Sequence, residues 1–468
     1  MAQEVVFDLC VVGAGPGGYV AALRAAEHGM TVAIIDARQT PGGVCLNEGC
    51  IPSKALLDSS EFYQLVRDKA AHHGVLVDGV GLDLKGMMTR KQDVVQRLTD
   101  GISFLFKKQK VVSITATVTE ITKTEAGFDL LTTDPLYPKI AATKVLLATG
   151  SRPVELPVAP FDGERIVSST QALSLNQVPS HLVVIGGGYI GLELGSVWKR
   201  LGSAVTVIEA LPRIIANSDT SMSATIQRSL KKQGMVIKTS TRLESVDLQA
   251  DRIVLRTVFN DVCEEIQCDC LLVAVGRKPN TEGLGLSVLG VNVNAQGRID
   301  VDNDFMTSVE GLYAIGDIVP GPMLAHKASE EALVCIERMV GNAVLDVRYD
   351  LIPGVVYTWP EGASVGLTEE QLKASGRSYR KGSSSVIANG RAKAMDEHEG
   401  QVVLLADDAT GELLGMHIVA PRASEMIAEG VAALRFKATV HDIGFLFHAH
   451  PSLSEVIKEA ALTMIADR

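Results

Sequence analysis

A chain of 468 residues that is 46% apolar exceeds what one hydrophobic core holds, so about two to four domains are expected. Aromatic residues make up only 4% while 43 residues are glycine, a mix that suits close-packed parallel α/β layers and argues against a β-sandwich. Forty-four basic against fifty-five acidic side chains leave a net charge of −11 with no long basic run, which sets aside nucleic acid and anionic membrane surfaces as partners.

In chain order, Met1-Ala-Gln-Glu leads almost directly into the apolar run 5–12. With no basic leader and no Arg/Ser-rich presequence ahead of it, a cytoplasmic location is expected. The segment "FDLCVVGAGPGGYVAALRAAEHGMTVAIID" (7–36) reads as strand, glycine turn, helix and second strand. In Gly13-x-Gly15-x-x-Gly18 the first glycine permits the tight turn. The second lets backbone approach a pyrophosphate, and the third permits close helix–strand packing. The helix start adds N–H donors and a positive dipole. Asp36 stands where a ribose-binding acid belongs.

"GGVCLNEGCIPSK" (42–54) then places Cys45 and Cys50 five positions apart. The pair could be a metal clip, a structural staple or a redox couple. A regular helix would separate them by about 7.5 Å along its axis, beyond the bridging limit of about 7 Å between Cα atoms. An irregular turn is needed, and Gly49 supplies it. Pro52 suits the first turn of a helix, which puts Cys50 near a positive helix end that favours its thiolate. So small a loop stabilises a fold by only roughly 2 kcal/mol, and a metal needs two further ligands. The nearest other cluster, Cys263, Cys268 and Cys270, is far away in sequence and sits in or beside β runs, where buried spectators are expected. Cys10 and Cys335 read as core residues. A reducible pair is the favoured reading.

Helical stretches are predicted at 54–72 and 86–108, followed by β-rich connections and "KVLLATGSRP" (144–153), a strand turning at Gly150. The first plan is then repeated in "HLVVIGGGYIGLELGSVWKRLGSAVTVIE" (181–209), with Gly186, Gly188, Gly191 and Glu209. The apolar stretch 182–198 is broken by glycines and Glu193, as befits strand, turn and helix and not a membrane span. A terminal carboxylate bonds a free 2′-hydroxyl and repels a 2′-phosphate, so NAD is favoured over NADP; Arg213 is the nearby residue able to accept that phosphate. Two fingerprints imply two dinucleotides, one of them FAD, which stays bound while a nicotinamide comes and goes. Further strands end near Gly276 and Gly316. From residue 351 a separate α+β domain is predicted, with strands at 354–358, 401–407 and 413–419 and helices at 423–436 and 452–466. Within it "SLSE" (452–455) fits a capping box closed by Glu455, and His450 precedes a proline, as a turn residue or as a base near neutral pH.

With a cysteine pair soon after the first nucleotide unit, the chain resembles the pyridine nucleotide–disulfide oxidoreductases over nearly its whole length. The likeness rests on both fingerprints, "GGVCLNEGCIPSK", "ATGSRP", "AVGRKPNT", "YAIGDIV", "MLAHKA" (323–328) and "HAHPSLSE" (448–455); the last two point to the lipoamide branch. The resemblance implies an α/β fold with two Rossmann-like domains and a C-terminal α+β dimerisation domain. Its parts are an FAD domain (1–150), an NAD domain (151–276), a central domain completing the FAD site (277–350) and an interface domain (351–468). Implied around the flavin are the first three glycines, Asp36 at the adenosine ribose, Lys54, Gly150, Asp317 at the ribitol, and Ala325. Gly276 joins the second glycine set at the nicotinamide. Cys50 would be the thiolate facing the flavin and Cys45 the interchange thiol, with Lys54 paired to Glu193. His450 would be the acid/base, oriented by Glu455 and contributed across a homodimer interface, with a cis bond to Pro451 and with His448 and His326 as supporting candidates.

The implied reaction is oxidation of protein-bound dihydrolipoamide by NAD, the substrate being a lipoylated carrier of a 2-oxo acid dehydrogenase or glycine cleavage complex. Two alternatives are a glutathione reductase-like enzyme acting on another small disulfide, which Tyr189 favours, and an FAD-binding docking subunit without turnover. The chain departs from the family pattern at Val44, where threonine is usual, and at Glu48, where an apolar residue is common.

Overall fold

In the computed structural model, which describes residues 6–466, the strand Val6–Val12 is apolar along most of its length because both its faces are covered. It pairs in parallel with Val32–Asp36 on one side and Lys139–Leu147 on the other. Leu9, Val11, Ile34 and Leu146 join one core with Ala21, Ala22 and Ala25 of the helix Pro16–Glu27. Cys10, Val12, Ile35, Val145 and Leu147 point the other way, into a core with Phe128 and Ile140. This is the two-sided alternation of a buried parallel sheet. The helix starts with proline in its first turn, where the missing N–H costs nothing.

The chain divides into two compact units, each built from separated segments. The first takes the chain up to Leu56 together with 85–154 and 276–349. Its sheet runs in the order 112–115, 32–36, 6–12, 139–147, 127–132, 118–124, and Leu312–Ala314 adds in parallel to Lys139–Leu147. A two-stranded ribbon joins Ser151–Pro153 to Arg277–Pro279 in the same unit.

The second unit takes 57–84, 155–275 and the chain from Asp350 onward. It repeats the design in a five-stranded parallel sheet, ordered 236–238, 204–208, 181–185, 270–273, 166–167. It also carries an antiparallel five-stranded sheet, ordered 354–356, 361–366, 413–420, 401–407, 379–385. The expected α/β architecture with two nucleotide folds and a C-terminal α+β region is therefore present. Glu361–Gly366, Tyr379–Ser385 and the short helix Val440–Phe445 are additions to the expected elements, and the last helix begins at Glu455. Among the described residues, no helix is long and apolar enough to cross a membrane.

The cysteines need one correction. Cys10 and Cys335 are fully buried, and burial pushes the Cys10, Cys268 and Cys270 thiols up to about 12. Cys263 is not a buried spectator: it lies exposed on the strand Val262–Cys268, beside Arg256.

Candidate active site

The two fingerprint loops fold alike, and their glycines have different reasons to exist. Gly13 (φ +104°) and Gly186 (φ +108°) are left-handed, and a Cβ there would stand 2.3 Å and 2.4 Å from the carbonyl oxygens of Ala148 and Ala274. At Gly18 and Gly191 a Cβ would run into the Gly13 and Gly186 carbonyls, at 1.8 Å and 2.2 Å. These four are required by the protein's own packing. The middle glycines are not: a Cβ at Gly188 meets nothing within 4 Å, and one at Gly15 meets only the Gly43 Cα, at 3.9 Å. The open space is what a pyrophosphate over a helix N-terminus needs, so the cradles fit two dinucleotides.

The terminal acids repeat one another as well. Asp36 accepts from the Ala14 N–H at 2.7 Å and the Arg38 N–H at 2.8 Å. Glu209 accepts from the Gly187 and Leu211 N–H groups, both at 2.7 Å. Each acid thus braces its own loop. Arg213 is engaged elsewhere, its Nη2 donating to the Ala216 carbonyl at 2.8 Å and the Ser218 carbonyl at 3.3 Å. Tyr189 opens the second helix, and its hydroxyl lies 3.2 Å from Ser218 Oγ.

The cysteine segment starts against the first cradle. Gly42 N–H donates to the Ala14 carbonyl at 2.8 Å, and a Cβ on Gly43 would come within 2.6 Å of Gly15 Cα. Cys45 lies on the helix Gly43–Glu48, which breaks at Gly49 (φ −139°, ψ −111°), and Cys50 opens the helix Cys50–Asp68. The break replaces the regular helical spacing that would hold the sulfurs apart. Both are free thiols in hydrogen-bond contact. That bond, then burial, pushes the Cys45 thiol far up, while the Cys50 N–H and the Lys54 charge pull it down. Glu48 does not leave a bare charge beside the sulfurs, because Arg38 pairs with it at 2.9 Å.

Around the GDIV turn (316–319), Asp317 accepts from Ser151 Oγ. Arg277 holds that serine, through its Oγ at 2.8 Å and its carbonyl at 2.6 Å. Burial pulls the Arg277 guanidinium down, against the charges of Asp317, Cys50 and Glu48. Gly150 (φ +69°) and Gly276 (φ +136°) face open space, and the ribbon between them is closed by Asn280 N–H on the Gly150 carbonyl at 2.9 Å. Ala325 begins the helix Ala325–Met339. Ser151 and Arg277 lie inside quoted motifs, yet sequence reasoning gave them no role.

In the second unit, His450 Nδ1 lies 2.8 Å from Glu455 Oε1. The other Glu455 oxygen takes the Ser452 N–H at 2.8 Å. Glu455 supplies its half of the expected capping box while Ser452 Oγ finds no hydrogen-bond partner among the described residues, and the Ser452 N–H and His450 hold the Glu455 carboxyl below the usual range. The His450 ring is 79% exposed and its bond to Pro451 is cis, whereas His448 is buried against Glu429 at 2.9 Å. Glu193 is buried and accepts from the Tyr357 N–H at 3.1 Å.

Residues 7–332 match the family model described as pyridine nucleotide-disulphide oxidoreductase, and 352–461 match the dimerisation domain of the same family. The chain belongs to the pyridine nucleotide-disulphide oxidoreductases. As a member of that family it uses FAD and NAD(H). It is 47% identical to the mitochondrial dihydrolipoyl dehydrogenase of Pisum sativum, over 97% of this chain and 91% of the relative. It is 46% identical to dihydrolipoyl dehydrogenase 3 of Pseudomonas putida, over 98% of each. The crystal structure of LpdA from Mycobacterium tuberculosis superposes with a TM-score of 0.89 at 28% identity, over 98% of this chain and 100% of that one.

Proposed function

We propose that this chain is a dihydrolipoyl dehydrogenase, oxidising the dihydrolipoyl group of lipoylated carriers of 2-oxo acid dehydrogenase or glycine cleavage complexes with NAD as final acceptor. The observation that carries the reading is the Cys45/Cys50 contact across the Gly49 break, on a segment packed against the first glycine cradle. Four tasks fall to the residues. With the pair oxidised, a substrate thiolate attacks Cys45, the Cys45–Cys50 bond breaks and Cys50 leaves as thiolate. The second substrate thiol then displaces Cys45, closing the substrate disulfide, and Cys45 regains a proton. Its hydrogen bond to Cys50 and its burial favour that protonated form. His450 takes the substrate protons through Nε2, because Glu455, kept ionised by the Ser452 N–H, holds Nδ1. FAD, when bound, supplies the two-electron acceptor between the thiols and NAD.

Asp36, Asp317, Gly150, Ala325 and Lys54 would hold the flavin, and Gly276, Glu209 and the second glycine set the nicotinamide dinucleotide. The dimerisation domain supports a homodimer. In the single chain Phe445, Leu446 and Phe447 stand exposed just before His450, and covering them in a dimer fits delivery of this histidine to a second copy. The sparse, odd set of seven cysteines is no secreted disulfide framework, and we place the protein in the cytoplasm, while the pea relative carries a mitochondrial name.

The test is a steady-state panel of dihydrolipoamide, glutathione disulfide and small bis-thiols, each with NAD and NADP cofactors. Dihydrolipoamide with NAD is expected to lead. NADP should fall behind by roughly a hundredfold, since Glu209 repels the 2′-phosphate and Arg213 is tied to backbone carbonyls. Negligible dihydrolipoamide turnover by FAD-loaded protein would defeat the proposal.

The glycine geometry makes a separate forecast. Gly188→Ala should melt like the parent yet bind NADH roughly tenfold more weakly, because its Cβ enters only the space reserved for the ligand. Gly186→Ala should lose several kcal/mol, roughly, of stability through clash and backbone strain. Thermal melts beside NADH titrations separate the two; equal melts would contradict it.

A further inference from the structure

Lys327 and Glu331 are one helical turn apart on Ala325–Met339, and both side chains are fully buried. An i,i+4 pair on a helix ordinarily lies on the solvent face and contributes little. Removing both charges from water costs several kcal/mol per ion, roughly, before their attraction is counted. Their partners explain the placement. Lys327 Nζ donates to the Gly316 carbonyl at 2.7 Å, and Glu331 Oε2 accepts the Gly316 N–H at 2.8 Å. The pair closes on itself at 2.9 Å, and the Tyr349 hydroxyl donates to Glu331 Oε1 at 2.7 Å. Both backbone groups of one left-handed glycine (φ +79°) are thus gripped by opposite charges. The loop is shaped around the lysine: a Cβ on Gly321 (φ +110°) would stand 3.1 Å from Lys327 Cε.

The residue after Gly316 is Asp317, whose carboxylate accepts from Ser151, itself anchored by Arg277. We propose that Lys327, Glu331 and Tyr349 are positioning residues that clamp the Gly316–Asp317 turn and so set how tightly the chain retains the polyhydroxylated arm of FAD. The inference rests on the reading of Asp317 as a flavin-binding acid. Apolar replacement of a buried ion pair is commonly neutral or stabilising for a fold, so a structural role and a positioning role diverge in the paired variant.

The experiment follows FAD release from the diluted holoenzyme by recovery of free-flavin fluorescence, with NADH affinity measured alongside. Lys327→Met/Glu331→Leu should release FAD roughly tenfold to a hundredfold faster, with NADH affinity unchanged. Parental release, or an equal loss of NADH affinity from general destabilisation, overturns the clamp. Should the double variant not fold, Tyr349→Phe decides: roughly threefold faster release supports the clamp and parental release overturns it. Asp317→Asn separates the two readings. If it alone releases FAD faster, only the clamp fails; if it releases FAD at the parental rate, the assignment of Asp317 fails.

Discussion

Cys50→Ser and Cys45→Ser should each lower dihydrolipoamide oxidation by roughly 10⁴-fold or more, because either change leaves no disulfide to open. Their spectra should differ. The segment 42–50 begins against the first glycine cradle, and Cys50 sits at a helix start, where a thiolate is favoured. In Cys45→Ser the remaining Cys50 thiolate should give a permanent long-wavelength band against the flavin. In Cys50→Ser that band should be missing at every stage of a dithionite or NADH titration. Normal turnover in both variants would remove the cysteines from the mechanism. A band that persisted only in Cys50→Ser would exchange the roles of the two sulfurs.

His450→Gln should lower kcat/KM for dihydrolipoamide by roughly 10² to 10⁴-fold, the usual worth of a positioned acid/base. Rapid reduction of the bound flavin by NADH should stay close to parental, since that half-reaction moves no thiol proton to the histidine. Glu455→Gln retains a hydrogen-bond acceptor toward His450 Nδ1 but loses the charge that the Ser452 N–H holds in place. It should cost roughly tenfold on the thiol side. Stopped-flow measurement of each half-reaction checks both variants. A His450→Gln enzyme slowed equally in both halves would mean that the residue supports the fold or the interface and not proton transfer.

These roles were only partly open to a reader of the linear chain. The two nucleotide units are local: strand, glycine turn, helix and terminal acid occupy about thirty consecutive residues each. Their glycine spacing was visible, but not the division of labour among the glycines, since the carbonyls that exclude a Cβ at Gly13 and Gly186 come from Ala148 and Ala274. Nothing local marks Tyr379–Ser385 as a strand, since "YRKGSSS" has no apolar alternation; it is one because it pairs along its length with Gln401–Asp407. The helix Val440–Phe445 is too short for a clear period and is fixed by the Thr439–Asp442 capping box.

The linear chain already displays the chemistry available: a paired cysteine motif, two glycine fingerprints, two terminal acids and a histidine followed by Pro-Ser-Leu-Ser-Glu. Those features are written in neighbours, and neighbouring residues set turns, helix starts and strand faces. Packing alone brings Arg213 Nη2 onto the Ala216 and Ser218 carbonyls, neutralises Glu48 with Arg38, and turns Lys327 and Glu331 inward. Ser151 likewise meets Arg277 and Asp317 across more than a hundred residues of chain. Burial and the choice of hydrogen-bond partner are properties of packing, and no local spacing encodes which distant donor arrives beside a given acceptor.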